Sequence, residues 1–94
     1  MRQLKSGEWT YRGKEHHASV WANDNGGQWL SIDNIDYFPV YPGQKPYPIG
    51  FPAHASSGNG LKAIEDCLQD SELSVEYYIS QYGGQDIQIL VQRT

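Results

Sequence analysis

Cysteine is almost missing from this 94-residue chain, which contains only Cys67. A single cysteine cannot form an internal disulfide, and low cysteine content is typical of a reducing compartment, so we expect a cytoplasmic protein. No apolar run approaches the roughly 18 residues that a membrane-spanning helix needs. The first residues are also not followed by the hydrophobic stretch of a signal peptide. These absences predict a soluble protein without a membrane segment.

Positive charge is scarce as well. The chain has 7 Lys and Arg against 11 Asp and Glu, which gives a formal net charge of −4. This balance disfavours direct binding to nucleic acid or to anionic lipid, since both attract basic surfaces. It suits a protein partner with a basic surface better. The strand edges near Gln88 and Gln92 carry little that prevents pairing between copies, so a dimer is compatible with the sequence.

Metal-binding and catalytic patterns are also absent. The 3 His and 1 Cys are scattered without zinc spacing, and Asp33 and Asp36 do not form a calcium-binding loop. His16 and His17 are neighbours on a strand and therefore point to opposite faces. His17 with Asp33 is either an acid–base couple or a cross-strand contact, and the contact is favoured because no third group is identifiable. We predict no metal, no cofactor and no catalytic residues.

What the chain does contain is a proline-punctuated aromatic segment at residues 38–57. All 5 prolines fall within it. Proline fixes φ, lacks an N–H and restricts the residue before it, so neither a helix nor a central strand can continue through the segment. Aromatic side chains supply the apolar area that ordering requires, which argues against disorder. We therefore predict a long binding loop that presents Phe38, Tyr41, Tyr47 and Phe51.

The residues before this loop predict three strands. Residues 8–12 alternate, with Trp9 and Tyr11 on one face. Residues 17–22 and 28–33 flank the sequence N-D-N-G-G, whose members tolerate positive φ and favour turns. A first strand followed by a β-hairpin is the expected arrangement.

The register of this hairpin follows from the parity of its side chains. Pairing Trp21 with Trp29 collects the apolar residues on one face, and it requires a loop with an odd number of residues. The pairs on that apolar face are Val20 with Leu30 and Ala18 with Ile32; the opposite face holds Trp21 with Trp29 and His17 with Asp33. The long loop either covers the tryptophan face or leaves it exposed as a contact platform.

The residues after the loop predict a helix and a second hairpin. Asn59 is a suitable helix cap, and the helix has an apolar stripe of Leu61, Ile64 and Leu68. Residues 73–82 also fit helical spacing, but their β-branched and aromatic content favours a strand. That strand pairs with residues 87–91 around Gly83-Gly84 through an odd loop, which aligns Ile79 with Ile89 and Tyr77 with Val91.

The resulting order is β-β-β-loop-α-β-β. It predicts a single α+β domain over residues 1–94, with an antiparallel sheet of about five strands and one helix packed on one face. This order resembles that of small bacterial and phage accessory proteins and of acidic antitoxin or immunity modules. The resemblance is one of architecture and size, and no motif accompanies it.

Two functions from different classes fit these features. The first is a non-enzymatic protein-binding module, an inhibitor or accessory protein of a mobile element (anti-defence, anti-CRISPR-like or immunity-type). It would dock on a larger, basic partner such as a nucleic-acid-processing complex. The alternative is a domain that binds a sugar or nucleotide on a Trp/Tyr platform. The expected contact residues are Trp21, Trp29, Asp33, Asp36, Phe38, Tyr41, Tyr47 and Phe51. A compact hydrolase that uses His17, His54 and Asp33 is a third, less favoured, reading.

Overall fold

The computed structural model describes residues 1–44, 58–79 and 87–94. Within these residues, two antiparallel sheets accompany one helix, which confirms the α+β class. The elements are β1 Arg2–Tyr11, β2 Lys14–Ala22, β3 Gln28–Ile32, β4 Ile35–Tyr37, α1 Gly58–Leu68, β5 Leu73–Ile79 and β6 Ile87–Arg93. In place of a single sheet of about five strands, the structure has a four-stranded sheet in the order β1-β2-β3-β4 and a two-stranded sheet of β5 and β6.

Tight turns connect two of the strand pairs in the four-stranded sheet. Arg12 and Gly13, between β1 and β2, have φ values of 50° and 76°. Asp33 and Asn34, between β3 and β4, have φ values of 51° and 68°. Two consecutive positive φ values are characteristic of the type I′ turn, whose twist matches that of the flanking strands. The sequence analysis missed the second turn, and with it β4.

The β2–β3 hairpin has the predicted register. Trp21 pairs with Trp29, and the loop of residues 23–27 has the odd length that this pairing requires. The Asn23 side chain orders the loop, because its Oδ1 accepts hydrogen bonds from the backbone N–H groups of Asn25 at 3.0 Å and Gly27 at 2.8 Å. The remaining predicted pairs are also present: Val20 with Leu30, and Ala18 with Ile32.

Other boundaries differ from the predictions. β1 begins at Arg2 and not at residue 8, and α1 begins at Gly58, which places Asn59 inside the helix and not at its cap. Residues 73–79 form a strand, as expected. The predicted register of its pairing with β6 was wrong by two residues, since Ile79 pairs with Ile87 and Tyr77 pairs with Ile89. Gly83-Gly84 and most of the predicted long loop lie outside the described residues.

The core lies between the four-stranded sheet, α1 and the two-stranded sheet. One face of the four-stranded sheet, which we call the inner face, buries Ala18, Val20, Leu30 and Ile32 completely. Against it pack Ile64, Cys67 and Leu68 from α1 and Leu73, Ile89 and Val91 from β5 and β6. Among the residues that the structure describes, no helix is long and apolar enough to cross a membrane.

Close contact between α1 and β1 depends on Gly7. A Cβ atom at this position would lie 2.9 Å from the backbone oxygen of Ala63. Because Gly7 has no side chain, the backbone of α1 can pack directly against the backbone of β1.

The opposite face of the four-stranded sheet, which we call the outer face, carries Ser19, Trp21, Trp29, Ser31 and Asp36. These residues are paired across neighbouring strands, Ser19 and Asp36 both with Ser31 and Trp21 with Trp29. Residues paired in this way project to the same side of a sheet. The outer face is therefore aromatic and polar where the inner face is aliphatic.

A backbone connection joins the end of β4 to β6. The N–H of Val40 donates to the carbonyl oxygen of Val91 at 3.3 Å, and the N–H of Arg93 donates to the carbonyl oxygen of Val40 at 3.0 Å. Val40 thereby forms a parallel bridge with Gln92. This connection fixes residues 38–41 next to the outer face.

Candidate binding groove

The floor of the candidate site is the tryptophan pair on the outer face. Trp29 is 9 % exposed, whereas Trp21 is half-buried. The Trp21 Nε1–H donates to Ser19 Oγ at 2.8 Å, which fixes the orientation of that indole. The Nε1–H of Trp29 is buried and has no acceptor among the described residues. A buried donor left without an acceptor costs about 1–3 kcal/mol, so a bound group that accepts from this N–H would be favoured.

Phe38 and Tyr41 form one wall of the site. The Phe38 ring lies 6.4 Å from the Trp29 ring, centroid to centroid, and is tilted by 34°. Despite this contact Phe38 is 66 % exposed, and Tyr41 is 57 % exposed. Exposed apolar side chains that lie together, and not singly, are typical of contact surfaces.

A turn over residues 41–44 orders the end of this wall. The N–H of Gln44 donates to the Tyr41 carbonyl oxygen at 3.1 Å, and the Gln44 Oε1 accepts from the Tyr41 N–H at 3.1 Å. Gly43, which follows Pro42, has a φ of 84°. Proline followed by a glycine of positive φ is typical of a type II turn.

Arg93 contacts the wall through the ring of Tyr41. Its guanidinium carbon lies 5.1 Å from the centre of the Tyr41 ring, within the range of a cation–π contact. Its Nη1 donates to Glu72 Oε2 at 3.3 Å. The Tyr41 ring is thus held by a side chain that is itself fixed by an ion pair.

Two adjoining depressions on this surface form what we call the aromatic groove. One, of about 420 Å³, lies between Trp29, Phe38, Pro39, Tyr41 and Arg93. The other, of about 450 Å³, is lined by Ser19, Trp21, Trp29, Ser31 and Asn34. Trp29 and the exposed Asp36 line both. The groove thus extends across the outer face to the wall.

The groove brings together most of the residues that the sequence analysis selected. Trp21, Trp29, Asp36, Phe38 and Tyr41 all line it. Tyr47 and Phe51 lie outside the described residues. The sequence analysis missed Pro39 and Arg93; Pro39 is adjacent to a selected residue, but Arg93 could be found only from the β6 contact with Val40.

Asp33 lies away from the groove, in the turn between β3 and β4. Its Oδ2 lies 2.6 Å from Nδ1 of His16, and its Oδ1 accepts from the backbone N–H of His17 at 2.9 Å. The predicted side-chain pair of Asp33 with His17 is therefore wrong. His17 Nδ1 lies instead 3.3 Å from Glu8 Oε1. The positive φ of Asp33 turns its carboxylate away from the direction that strand alternation predicts.

His16 is a buried structural residue. It is 2 % exposed, and its ring stacks on Trp9 with the centroids 5.5 Å apart and the planes at 23°. The contact with Asp33 connects the β3–β4 turn to β2. The pKa of the Tyr37 phenol is raised above its ordinary 10.0. Burial is the larger cause, and the negative charge of Asp33 is the second.

Cys67 is buried in the core. Burial raises the pKa of its thiol above the ordinary 9.0, and its Sγ lies 3.8 Å from the Ala18 carbonyl oxygen. A buried neutral thiol is a poor nucleophile. Within the described ranges, no three His, Cys, Asp or Glu side chains are placed to hold a metal ion.

The known proteins provide no functional assignment. No protein-family model, no curated protein and no solved structure matches this chain. The aromatic groove itself is therefore the basis for a functional proposal.

Proposed function

We propose that this protein is a non-enzymatic binding module that docks on a larger protein partner through the aromatic groove. The observation that carries this proposal is the exposure of Phe38 at 66 % and Tyr41 at 57 % in a segment that is held on both sides. Aromatic residues that combine large contact area with few rotatable bonds are enriched at binding hot spots.

The rigidity of the wall supports a binding role. Val40 is hydrogen-bonded to β6, and Tyr41 is held by the Gln44 turn and by Arg93. Association loses less conformational entropy when the contact residues are already ordered. The wall therefore favours docking without a folding step.

The finer part of the proposal is an inhibitory or accessory role for a mobile element, of anti-defence or immunity type. A small protein with a net charge of −4 and a preformed contact surface is suited to cover a basic functional surface. Nucleic-acid-processing complexes present such surfaces, which makes them the partner class of this proposal.

Affinity capture with matched variants tests the groove. The immobilised wild type should retain a partner from extracts of its native host, and the double variant Phe38→Ala/Tyr41→Ala should retain at least about tenfold less, since hot-spot truncations each cost about 1–4 kcal/mol. Ile35→Ala is the control, because Ile35 is also an exposed apolar residue, at 55 %, but does not line the groove. Far-UV circular dichroism checks that each variant is folded. Equal retention by the double variant and the wild type contradicts the proposal.

A second candidate function, binding of a sugar or nucleotide, is favoured by the tryptophan part of the groove. There the two indoles lie beside the hydroxyl groups of Ser19 and Ser31 and the amide of Asn34. Rings flanked by neutral polar groups are suited to stacking on a sugar or a base. Tryptophan fluorescence during titration with a panel of monosaccharides and nucleotides should then change for one class and not change in Trp21→Ala. A flat response to the whole panel contradicts this candidate.

A further inference from the structure

The charges around the aromatic groove indicate which residue a partner would insert into it. We infer that the groove receives an arginine side chain of the protein partner, with the guanidinium held by the Asp36 carboxylate against the rings of Trp29 and Phe38. This inference rests on the proposed function, because it specifies the chemistry of the same docking site.

Asp36 lines both depressions of the groove, as Trp29 does. It is exposed, and no cationic group among the described residues forms an ion pair with it. A negative charge beside aromatic rings is complemented by a cation on an apolar stem, which contacts the rings and the carboxylate together.

Two cationic groups of the described residues line the groove, and each lies against a carboxylate other than that of Asp36. Arg93 contacts Glu72 at 3.3 Å, and the α-ammonium of Met1 contacts Asp24 at 3.6 Å. No cation of the described residues is paired with Asp36, so a cation of the partner can pair with it.

The aromatic lining favours a guanidinium over an ammonium. Guanidinium is planar and weakly hydrated, so it stacks on a ring while its N–H groups bind a carboxylate, whereas ammonium retains its water more strongly. Arg93 on Tyr41 is an example of this stacking at the edge of the same groove. The same carboxylate would repel the phosphate groups of a nucleotide.

Nuclear magnetic resonance on the intact protein tests the inference. The probe is the peptide acetyl-Gly-Arg-Gly-amide, and its neutral control replaces arginine with citrulline, which has nearly the same shape. The indole N–H signals of Trp29 and Trp21 should shift and saturate with the arginine peptide. The signal of Trp9, which is 6 % exposed on the inner face, should stay in place. A third peptide, in which lysine replaces arginine, should bind more weakly than the arginine peptide.

Asp36→Asn supplies the decisive variant. It keeps the shape of the side chain and removes its charge, so affinity for the arginine peptide should fall by about fivefold, as for a partly exposed ion pair assisted by a ring. Asp66→Asn, on an exposed position of α1, should leave the affinity unchanged. Equal shifts with the citrulline peptide, unchanged affinity in Asp36→Asn, or no saturable shift at all would overturn the inference. Equal affinity for the lysine peptide would overturn the preference for guanidinium.

The capture experiment separates this inference from the proposed function. If Phe38→Ala/Tyr41→Ala loses the partner while Asp36→Asn retains it fully, the groove docks the partner without an arginine anchor, and only the inference fails. If the double variant retains the partner, the proposed function fails whatever the peptide titration shows.

Discussion

The inner and outer faces of the four-stranded sheet are made by alternating residues of the same strands, but different groups cover them. On the inner face, Val20 and Leu30 are fully buried beneath α1 and the two-stranded sheet. On the outer face, Trp29, which precedes Leu30 in β3, contacts Phe38, and Phe38 remains 66 % exposed. Because side chains alternate with period two, one strand can contribute to stability on one side and to recognition on the other. Removing a residue should therefore affect stability on the inner face and binding on the outer face.

The largest expected effect is that of Leu30→Ala on the inner face. Leu30 is 0 % exposed, so the substitution removes buried methyl groups and leaves a cavity, which lowers the free energy of unfolding by about 2–5 kcal/mol. Leu4→Ala is the matched control, since Leu4 is 37 % exposed and should lose under about 1 kcal/mol. Urea denaturation followed by tryptophan fluorescence measures both. Similar losses in the two variants would break the comparison between the faces.

Gly7→Ala should have the next largest effect. Its new methyl group meets the Ala63 backbone oxygen, which no side-chain rotation can remove, so α1 must shift from the sheet. Overpacking of this kind costs about 1–3 kcal/mol of unfolding free energy, partly offset by the lower flexibility of alanine in the unfolded chain. The neighbouring Ser6→Ala, at an exposed position, should be nearly neutral in the same denaturation assay. A Gly7→Ala variant as stable as the wild type would show that α1 does not need this close approach.

Alkaline pH should destabilise the protein through Tyr37, which lies on the inner face opposite Leu30. Its pKa is raised above 10.0 in the folded state, so above that pH the unfolded chain loses a proton that the native protein retains. The free energy of unfolding is therefore unaffected below pH 10.0 and falls as the pH rises through the native pKa, by at most about 1.4 kcal/mol per pH unit.

The measurement requires a Cys67→Ala background, because the Cys67 thiol has a pKa raised from 9.0 and adds a slope of the same sign. In that background, urea denaturation at a series of alkaline pH values should show the slope, and Tyr37→Phe should reduce it. An unchanged slope in Tyr37→Phe would mean that burial of this phenol does not control the alkaline stability.

The smallest effect on stability is expected for Phe38→Ala. The side chain is mostly exposed and its ring is only tilted against that of Trp29, so the loss should be under about 1 kcal/mol. Partner retention should nevertheless fall in the capture experiment. A loss of stability as large as that of Leu30→Ala would show that the wall belongs to the core, and the distinction between the faces would no longer hold.

The β2–β3 hairpin could be predicted because side-chain parity determines its register, and the α+β class could be predicted because alternating strands and an apolar helical stripe are both visible in the sequence. The apolar and aromatic sets of β2 and β3 align in few registers, and the loop of residues 23–27 has the odd length that the observed register requires. The β5–β6 hairpin is different. Registers that differ by two residues keep every side chain on the same face, so the alternation alone could not distinguish the pairing of Ile79 with Ile87 from that with Ile89.

The candidate site was only partly predictable. Strand parity placed Trp21 and Trp29 side by side, and the proline-rich composition indicated that Phe38 and Tyr41 belong to a contact segment. The position of Asp33 could not follow from parity, because a residue with a φ of 51° lies in a turn and not in a strand. Arg93 carried no local signal, since its role depends on the distant ring of Tyr41.

The connection of Val40 to β6 has a consequence for the order in which the protein matures. Val40, between Phe38 and Tyr41, is held by hydrogen bonds to Val91 and Arg93, which are synthesised far later in the chain. A polypeptide emerging from the ribosome can pair β1 to β4 early, but it lacks the anchor for Phe38 and Tyr41 until β6 is available. Recognition by this surface must therefore wait until β6 has been synthesised.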